Sequence, residues 1–370
     1  MAAKSMISHV EIFEANLALK QPFKIAIMTM EHAQNVFVRI HTESGTYGTG
    51  EASPFWKIVG ETQATDLAAA ADLAKFLVGK DALAIGARMA AMEGFLQFNT
   101  TILSAFDMAL YDLASKLCSL PLYRFLGGES RPMRTDWTIG LSDPDHMARQ
   151  ARDIVAQGFE AVKLKLGEGW PVDFERVSKV RDAIGTDIPI RIDANQGWDF
   201  PQALRLLEAM APLGIQYCEQ PLTAHLFEDM VRLRQKTRIP IMADESLFSP
   251  ADGFRLAAMG ACDYFNIKLS KSGGIRNALD IAAIARSRRL GCMLGCMMES
   301  RLGLSAAAHL AAAHPIIQFL DLDSGLLLAQ DPVLGGMTYE GPRVILPETP
   351  GHGADIAPDF LESTKKTSIQ

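Results

Sequence analysis

Eight charged side chains lie at or just past the ends of short apolar runs, and together they could move a proton on carbon. Lys163 and Lys165 lie in AVKLKLG, Asp193 follows IPIRI, Glu219 follows IQYC and Asp244 follows IPIMA. Lys268 closes FNIK, and Asp321 and Asp323 close IIQFLDLD. A lone acid after a strand is usually a cap or turn residue, and Asp193 alone could serve the turn at 195–197. Three acids spaced 26 and 25 residues apart on consecutive units are different. Brought together at neighbouring strand ends, they repel one another unless a cation shares them. An oxygen-only set with open positions suits Mg2+.

A lysine beside such a metal is a natural general base. Lys163 and Lys165 are two apart, so on a strand they point to one face, where each cation disfavours charge on the other. Val162, Leu164 and Leu166 mark that strand as buried, not an exposed edge. With Lys165 on one wall and Lys268 on the other, a carbon between them can lose its proton to either, which is the geometry of 1,1-proton transfer. A metal close by would stabilise the enediolate formed when the proton leaves a carbon next to a carboxylate.

Repeated βα units would have to position these groups. From Trp137 onward helical stretches alternate with strand-length runs: AVKLKL, IPIRI, IQYC, IPIMA, YFNIKL, GCMLGC and IIQFLDL, with a weaker one at 136–141. That pattern predicts a parallel sheet with covering helices, and eight runs fit a (β/α)8 barrel, whose active site lies where the strands end. No GxGxxG follows any run, which argues against a dinucleotide site. The first 55 residues read as strands, with turn chemistry at 42–45. Residues 62–77, 82–98 and 102–117 have helical periodicity, so this region predicts an α+β unit. Segments 336–339 and 343–346 are expected to be strands that rejoin that unit, and the last dozen polar residues to fray.

Composition sets the outer bounds. At 370 residues, 48% hydrophobic and 21% charged, the chain can build a large core. A net charge of −7 gives no nucleic-acid footprint, and no run reaches the length of a membrane span. The segment MAAKSMISHVE has no apolar signal core, and five scattered cysteines read as free thiols, so a cytoplasmic enzyme is expected.

KLKLG, DANQGW, CEQPL, ADES, NIKLSKSGGI and CMMES, in this order and spacing, resemble the enolase superfamily and its muconate-lactonizing subgroup over essentially the whole chain. The resemblance implies an α/β fold, a (β/α)-barrel of the enolase type spanning 126–332. It also implies an α+β capping domain over 1–125, completed by strands within 333–370. It implies one Mg2+ per subunit on Asp193, Glu219 and Asp244, with Lys165 and Lys268 as the acid/base pair. Asp321 and Asp323 look like the DxD motif of the dipeptide epimerases, which implies recognition of a substrate α-ammonium. Thr135, Lys163, Cys296 and Met298 are implied substrate contacts.

Muconate cycloisomerase, o-succinylbenzoate synthase and N-acylamino acid racemase remain alternatives. The first two share the lysine pair and the metal acids, but their substrates carry no ammonium for the two aspartates. Mandelate-racemase-like and sugar-acid-dehydratase relatives would want a histidine after the seventh strand, where this chain has CMMES. A catalytically silent ligand-binding barrel would need neither lysine.

Two loops, 23–33 and 54–61, are expected to close over the site. Met28, Met30, Phe55, Trp56 and Ile58 either pack within their own domain or form an apolar wall. Lys24 is the only lysine or arginine within the first loop, and Met28 stands where a relative taking an acidic side chain would offer arginine. The expected substrate is a dipeptide with a small or hydrophobic C-terminal side chain, not Ala-Glu, with a homo-oligomer left open.

Overall fold

The computed structural model describes residues 4–370, so the first three residues of the expected signal-free N-terminus lie outside it. The chain opens with β1 (Ile7–Ile25), β2 (Met28–Thr42) and β3 (Tyr47–Ala52), an antiparallel meander. Its faces alternate as β-strand period requires. Val10 and Ile12 pack with Val36 and Val38 against helices, while Phe13, Ala15 and Leu17 on the other face pack with Val333, Ala354 and Ile356.

Three helices cover the first face: α1 (Gln63–Ala74), α2 (Ile85–Phe95) and α3 (Thr100–Leu117). The α1 helix starts on a Thr62/Thr65 capping box. Gly48 and Gly50 explain how close α3 comes, since a Cβ at either would strike the carbonyl oxygens of Ala109 and Ala105 at 2.1 and 2.0 Å.

After the one-turn α4 (Leu122–Phe125) and the short β4 (Met133–Arg134), the chain builds an eight-stranded parallel sheet. Its strands are β5 (Trp137–Ile139), β6 (Val162–Lys165), β7 (Ile190–Asp193), β8 (Ile215–Glu219), β9 (Ile241–Ala243), β10 (Tyr264–Ile267), β11 (Gly291–Gly295) and β12 (Ile317–Asp321), neighbours in that order. The two ends meet at a parallel bridge between Thr135 and Leu320, where the Asp136 N–H donates to Leu320 O at 3.3 Å. The outer layer is α5 (Pro144–Ala156), α6 (Val172–Ile184), α7 (Phe200–Met210), α8 (Phe227–Lys236), α9 (Pro250–Met259), the one-turn α10 (Leu269–Ser272), α11 (Ile275–Arg288) and α12 (Arg301–Ala313). Every apolar run read as a barrel strand is one, and the fold is the expected enolase-type barrel with an α+β unit. Among the described residues no helix is long and apolar enough to cross a membrane.

The tail departs from expectation. After the one-turn α13 (Ser324–Leu327) come β13 (Val333–Gly335), β14 (Thr338–Glu340), β15 (Arg343–Ile345), β16 (Ala354–Ile356), α14 (Pro358–Ser363) and β17 (Lys366–Ile369). Segments 336–339 and 343–346 do not rejoin the N-terminal sheet. Instead β14 pairs with β15 and β15 with β4, because buried Val344 and Met133 stand in register and join the barrel core. The polar terminus does not fray: β17 pairs with β1, giving an otherwise unpaired sheet edge its hydrogen bonds, and Lys366 meets Glu11 at 2.9 Å. Segment 23–33 is a hairpin tip, not a loop, with Phe23 paired to Met30 and Ile25 to Met28.

Candidate active site

Strand order turns the eight charged positions into a map. Lys165 ends β6 and Lys268 follows β10, four strands away in a ring of eight, so the two lysines face each other across the barrel mouth. On one arc between them, Asp193 and Glu219 end β7 and β8, and Asp244 follows β9. On the other arc Asp321 ends β12, directly across the ring from Glu219.

Asp193, Glu219 and Asp244 are fully buried, and one oxygen of each lies within 4.8 Å of the others. Each is oriented by its neighbours. Asp193 Oδ1 accepts from the Asn195 N–H at 2.9 Å, and Asn266 Nδ2 donates to Glu219 Oε1 at 2.8 Å. Glu219 Oε2 lies 2.7 Å from Lys163 Nζ but outside hydrogen-bonding alignment, which leaves its lone pairs unused. Burial and then Asp193 push the Glu219 carboxyl well above the usual carboxylate range, the electrostatic signature of a site short of positive charge. Three converging oxygens with no nitrogen or sulfur among them fit a hard divalent cation.

The lysines are all engaged. Lys165 Nζ is 2.6 Å from Asp193 Oδ2, and Lys268 Nζ is 2.7 Å from Asp244 Oδ2. Burial works against the charge on Lys268, but Asp244 and Glu219 outweigh it and hold the ammonium above its ordinary range. Lys163 is 2.6 Å from Asp321 Oδ2 and 3.5 Å from Asp193 Oδ2. Burial opposes its charge too, yet Asp321, Glu219 and Asp193 together raise it well above the normal lysine value. Its charge is therefore spread over three carboxylates and not directed at Lys165 alone.

Asp321 and Asp323 differ in environment. Burial is opposed at Asp321 by Lys163 and Lys165, which hold its carboxyl below the usual range. No lysine or arginine among the described residues pairs with Asp323; the Thr138 N–H donates to its Oδ2 at 2.6 Å. Burial and then Asp321 push Asp323 up to about 7.

These groups open onto a cleft of about 770 Å3 between the barrel mouth and the N-terminal unit. Lys165, Lys268, Asp321, Asp323, Cys296 and Met298 line it. The N-terminal unit covers it mainly with apolar side chains, Phe23, Ile25 and Met30 from the hairpin and Phe55, Trp56 and Ile58 from the second loop, beside the polar His32, Gln34, Asn35 and Ser53. Met28 packs beside Ile25 and Phe55 and does not line the cleft. Lys24 turns outward to Glu168 at 3.1 Å.

Two expected contacts sit elsewhere. Thr135 is locked in the barrel seam, its Oγ1 accepting from the Leu322 N–H at 2.9 Å, and Thr138 lines the cleft in its place. Lys163 lies under the carboxylates as a wholly buried floor. Sequence reasoning missed Lys271, also wholly buried, whose Nζ reaches Asp244 Oδ1 and Asn266 O. Its signal was a second lysine three residues after Lys268, among small residues. The cysteines are free as expected, although Cys118 is exposed and not buried.

Known proteins share this architecture from end to end. Residues 7–127 match the mandelate racemase / muconate lactonizing enzyme N-terminal domain, and residues 146–360 match the enolase C-terminal domain-like family. A D-Ala-D/L-Ala epimerase of Cytophaga hutchinsonii is 43% identical over 366 residues, 98% of this chain and 100% of its own. An L-Ala-D/L-Glu epimerase of Clostridium acetobutylicum is 38% identical over 95% of this chain and 99% of its own. The crystal structure of a dipeptide epimerase from Cytophaga hutchinsonii, complexed with Mg and D-Ala-L-Val, superposes with a TM-score of 0.97 at 43% identity, covering 99% of this chain and 100% of that one. With both domains matched and relatives this similar over their full length, the chain belongs to the dipeptide epimerase family of the enolase superfamily, in its muconate-lactonizing subgroup.

Proposed function

We propose that this protein is a Mg2+-dependent isomerase that inverts the α-carbon of the C-terminal residue of a dipeptide by two-lysine 1,1-proton transfer. The observation that carries the reading is the placement of Lys165 and Lys268 half a ring apart, both facing one cleft. Inversion at carbon needs a base on one face and an acid on the other, whereas a silent binding barrel needs neither. Asp193, Glu219 and Asp244 hold Mg2+, which supplies fixed positive charge to a carboxylate whose neighbouring carbon gives up its proton.

Lys165 removes the α-proton from one epimer and Lys268 returns a proton to the opposite face; for the other epimer the roles exchange. Asp323, which has no cation of its own, receives the α-ammonium together with Asp321. That fixes the long axis of the substrate from the β12 arc towards the β8 arc and sets its α-carbon between the lysines. Muconate, the succinylbenzoate precursor and N-acylamino acids carry no α-ammonium to pair with Asp323. Cys296 and Met298 complete the wall beside the C-terminal residue, and Lys163 acts from beneath by holding Asp321 and Glu219.

The roof of Phe23, Ile25, Met30 and Phe55, with Lys24 turned away, supports small or hydrophobic C-terminal side chains over glutamate. The relative bound to D-Ala-L-Val has a ligand of that kind. In this reading residues 1–125, with β13, β16 and β17 of the tail, cap the barrel of 126–332, which β14 and β15 join, and the free cysteines support a cytoplasmic setting.

The test is proton NMR of an L,L-dipeptide library incubated with enzyme and Mg2+ in D2O. The expected result is loss of the C-terminal α-proton signal with diastereomer peaks growing in, faster for Ala-Val and Ala-Ala than for Ala-Glu. Turnover of a muconate with no dipeptide exchange would overturn the reading, and faster Ala-Glu would overturn the side-chain preference.

A further inference from the structure

We propose that His9, Glu11 and His41 form a second metal site, on the N-terminal meander and outside the catalytic cleft, that takes Zn2+ and not Mg2+. One ligand atom from each residue lies within 4.8 Å of the others, and all three residues are half-buried. None of them lines the cleft, so the site is independent of whatever reaction the cleft performs. Strand register brings the three together. His9 of β1 stands opposite His41 of β2, and Glu11, two residues on, shares the face of His9 and is a diagonal neighbour of His41. The two imidazoles lie nearly parallel, with centroids 4.1 Å apart and planes inclined by 9°, so their edges can present nitrogen to one point. His41 Nε2 is already 3.0 Å from Glu11 Oε2. A tetrahedral zinc with bonds of about 2 Å needs its ligand atoms roughly 3.3 Å apart, which small side-chain rotations supply. Half-burial leaves room for water in the fourth position.

A β-bulge sets the orientation of His9. The β1–β2 ladder slips between Ile7 and His9, which leaves Ser8 unopposed beside the histidine. Ser8 Oγ donates its one proton to His41 O at 3.3 Å and lies 3.0 Å from His9 Nδ1, so it accepts from the Nδ1–H. That tautomer leaves the lone pair of His9 Nε2 free, the arrangement in which histidines bind metal while the other ring nitrogen is held by an outer partner. At His41, burial lowers the ring below its ordinary value against the pull of Glu11, which favours the neutral form a metal needs. Glu11 keeps its charge. Burial opposes it, but Lys366 at Oε1 and His41 at Oε2 hold the carboxyl below its ordinary value all the same.

Donor type separates this site from the barrel mouth. Two imidazole nitrogens and one carboxylate suit zinc, whereas Mg2+ prefers oxygen alone, as Asp193, Glu219 and Asp244 offer it. A zinc held here cross-links β1 to β2 where the bulge interrupts their ladder, one strand in from the β17 edge. Because the three ligands converge only in the folded sheet, binding stabilises the N-terminal unit.

The experiment titrates Mg2+-saturated protein with Co2+ and then with Zn2+, reading the visible d–d bands of cobalt. A four-coordinate site with nitrogen donors gives intense bands and a six-coordinate oxygen site weak ones, so cobalt entering the barrel mouth is told apart. The expected result is an intense band that saturates at about one cobalt per chain and is abolished by zinc. The midpoint of thermal unfolding should be higher in Mg2+ plus Zn2+ than in Mg2+ alone. His9→Ala and His41→Ala should each weaken cobalt binding by about a hundred-fold or more and Ser8→Ala by about ten-fold, with turnover in Mg2+ unchanged in all three. His41→Gln is read in the same way should an alanine variant fail to fold. The site is overturned if the wild-type protein shows no intense band, or if folded histidine variants keep it at wild-type affinity.

Discussion

The barrel mouth and the face of the N-terminal unit meet across one cleft but are built on opposite principles. At the mouth, buried lysines and carboxylates hold one another: Lys165 on Asp193, Lys268 and Lys271 on Asp244, Lys163 on Asp321 and Glu219. Across the cleft, Phe23, Ile25, Met30 and Phe55 offer no charge. Charge buried at strand ends is expensive unless every member is paired, so those positions are rigid and serve the chemistry. An apolar face on a hairpin tip can change residue by residue without unbalancing anything, which suits it to substrate choice.

Behind the cleft wall, the N-terminal unit does supply a buried acid. Glu51 of β3 accepts from the Ser300 N–H at 2.9 Å and the Gly303 N–H at 2.9 Å, capping α12, while Asn35 Nδ2 bridges Glu51 Oε1 and Met298 O at 2.6 and 2.9 Å. The cap stands directly behind the 296–298 wall of the cleft.

Removing a lysine breaks the contrast most severely. Lys268→Ala and Lys165→Ala should each lower epimerisation by about a hundred- to ten-thousand-fold. Each variant should keep solvent exchange for the single epimer whose α-proton faces the surviving lysine, seen by NMR in D2O starting from each diastereomer. Wild-type turnover in both variants would sink the two-base mechanism.

Loosening the joint should do less. Glu51→Gln presents an amide N–H2 to groups that themselves donate, and should cost about 1–3 kcal/mol of stability in urea unfolding. It should raise KM more than it lowers kcat, because the lysines stay in place; unchanged stability would mean the cap is dispensable.

The smallest effect lies in pH. With Asp323 pushed up to about 7, its carboxyl is neutral below that pH and cannot pair with an ammonium. kcat/KM should therefore rise as pH increases through about 7, then fall as the substrate α-amino group deprotonates near its ordinary value of about 8. Asp323→Asn should flatten the rising limb; a profile that keeps it would assign that limb to another group.

Much of the site was legible because strand-end chemistry leaves marks in sequence. Asp193, Glu219, Asp244, Lys165 and Lys268 each close a run of buried β-formers, and capping, which explains a single acid there, does not explain five ions on five strand ends. Thr135 stands just ahead of the weak run at 136–141 and Thr138 within it, and only the register at the seam decides which faces the cleft. Lys271 went unseen because burial of a lysine depends on Asp244 and Asn266, which are remote in sequence. The C-terminal strands were visible as strands but not by partner. Their pairing with β4 or β1 follows from which sheet edges the rest of the fold leaves open.

Sequence alone determined the alternation of strand and helix, the residues at each strand's end and the chemistry open to them, because periodicity and residue type act over a few neighbours. Tertiary structure decided the rest: which lysine faces which across the ring, which aspartate lacks a cation, and what covers the cleft. Those outcomes hang on ring closure and on contacts between residues a hundred or more positions apart, such as Lys163 with Asp321 and Thr138 with Asp323, where local sequence exerts no force.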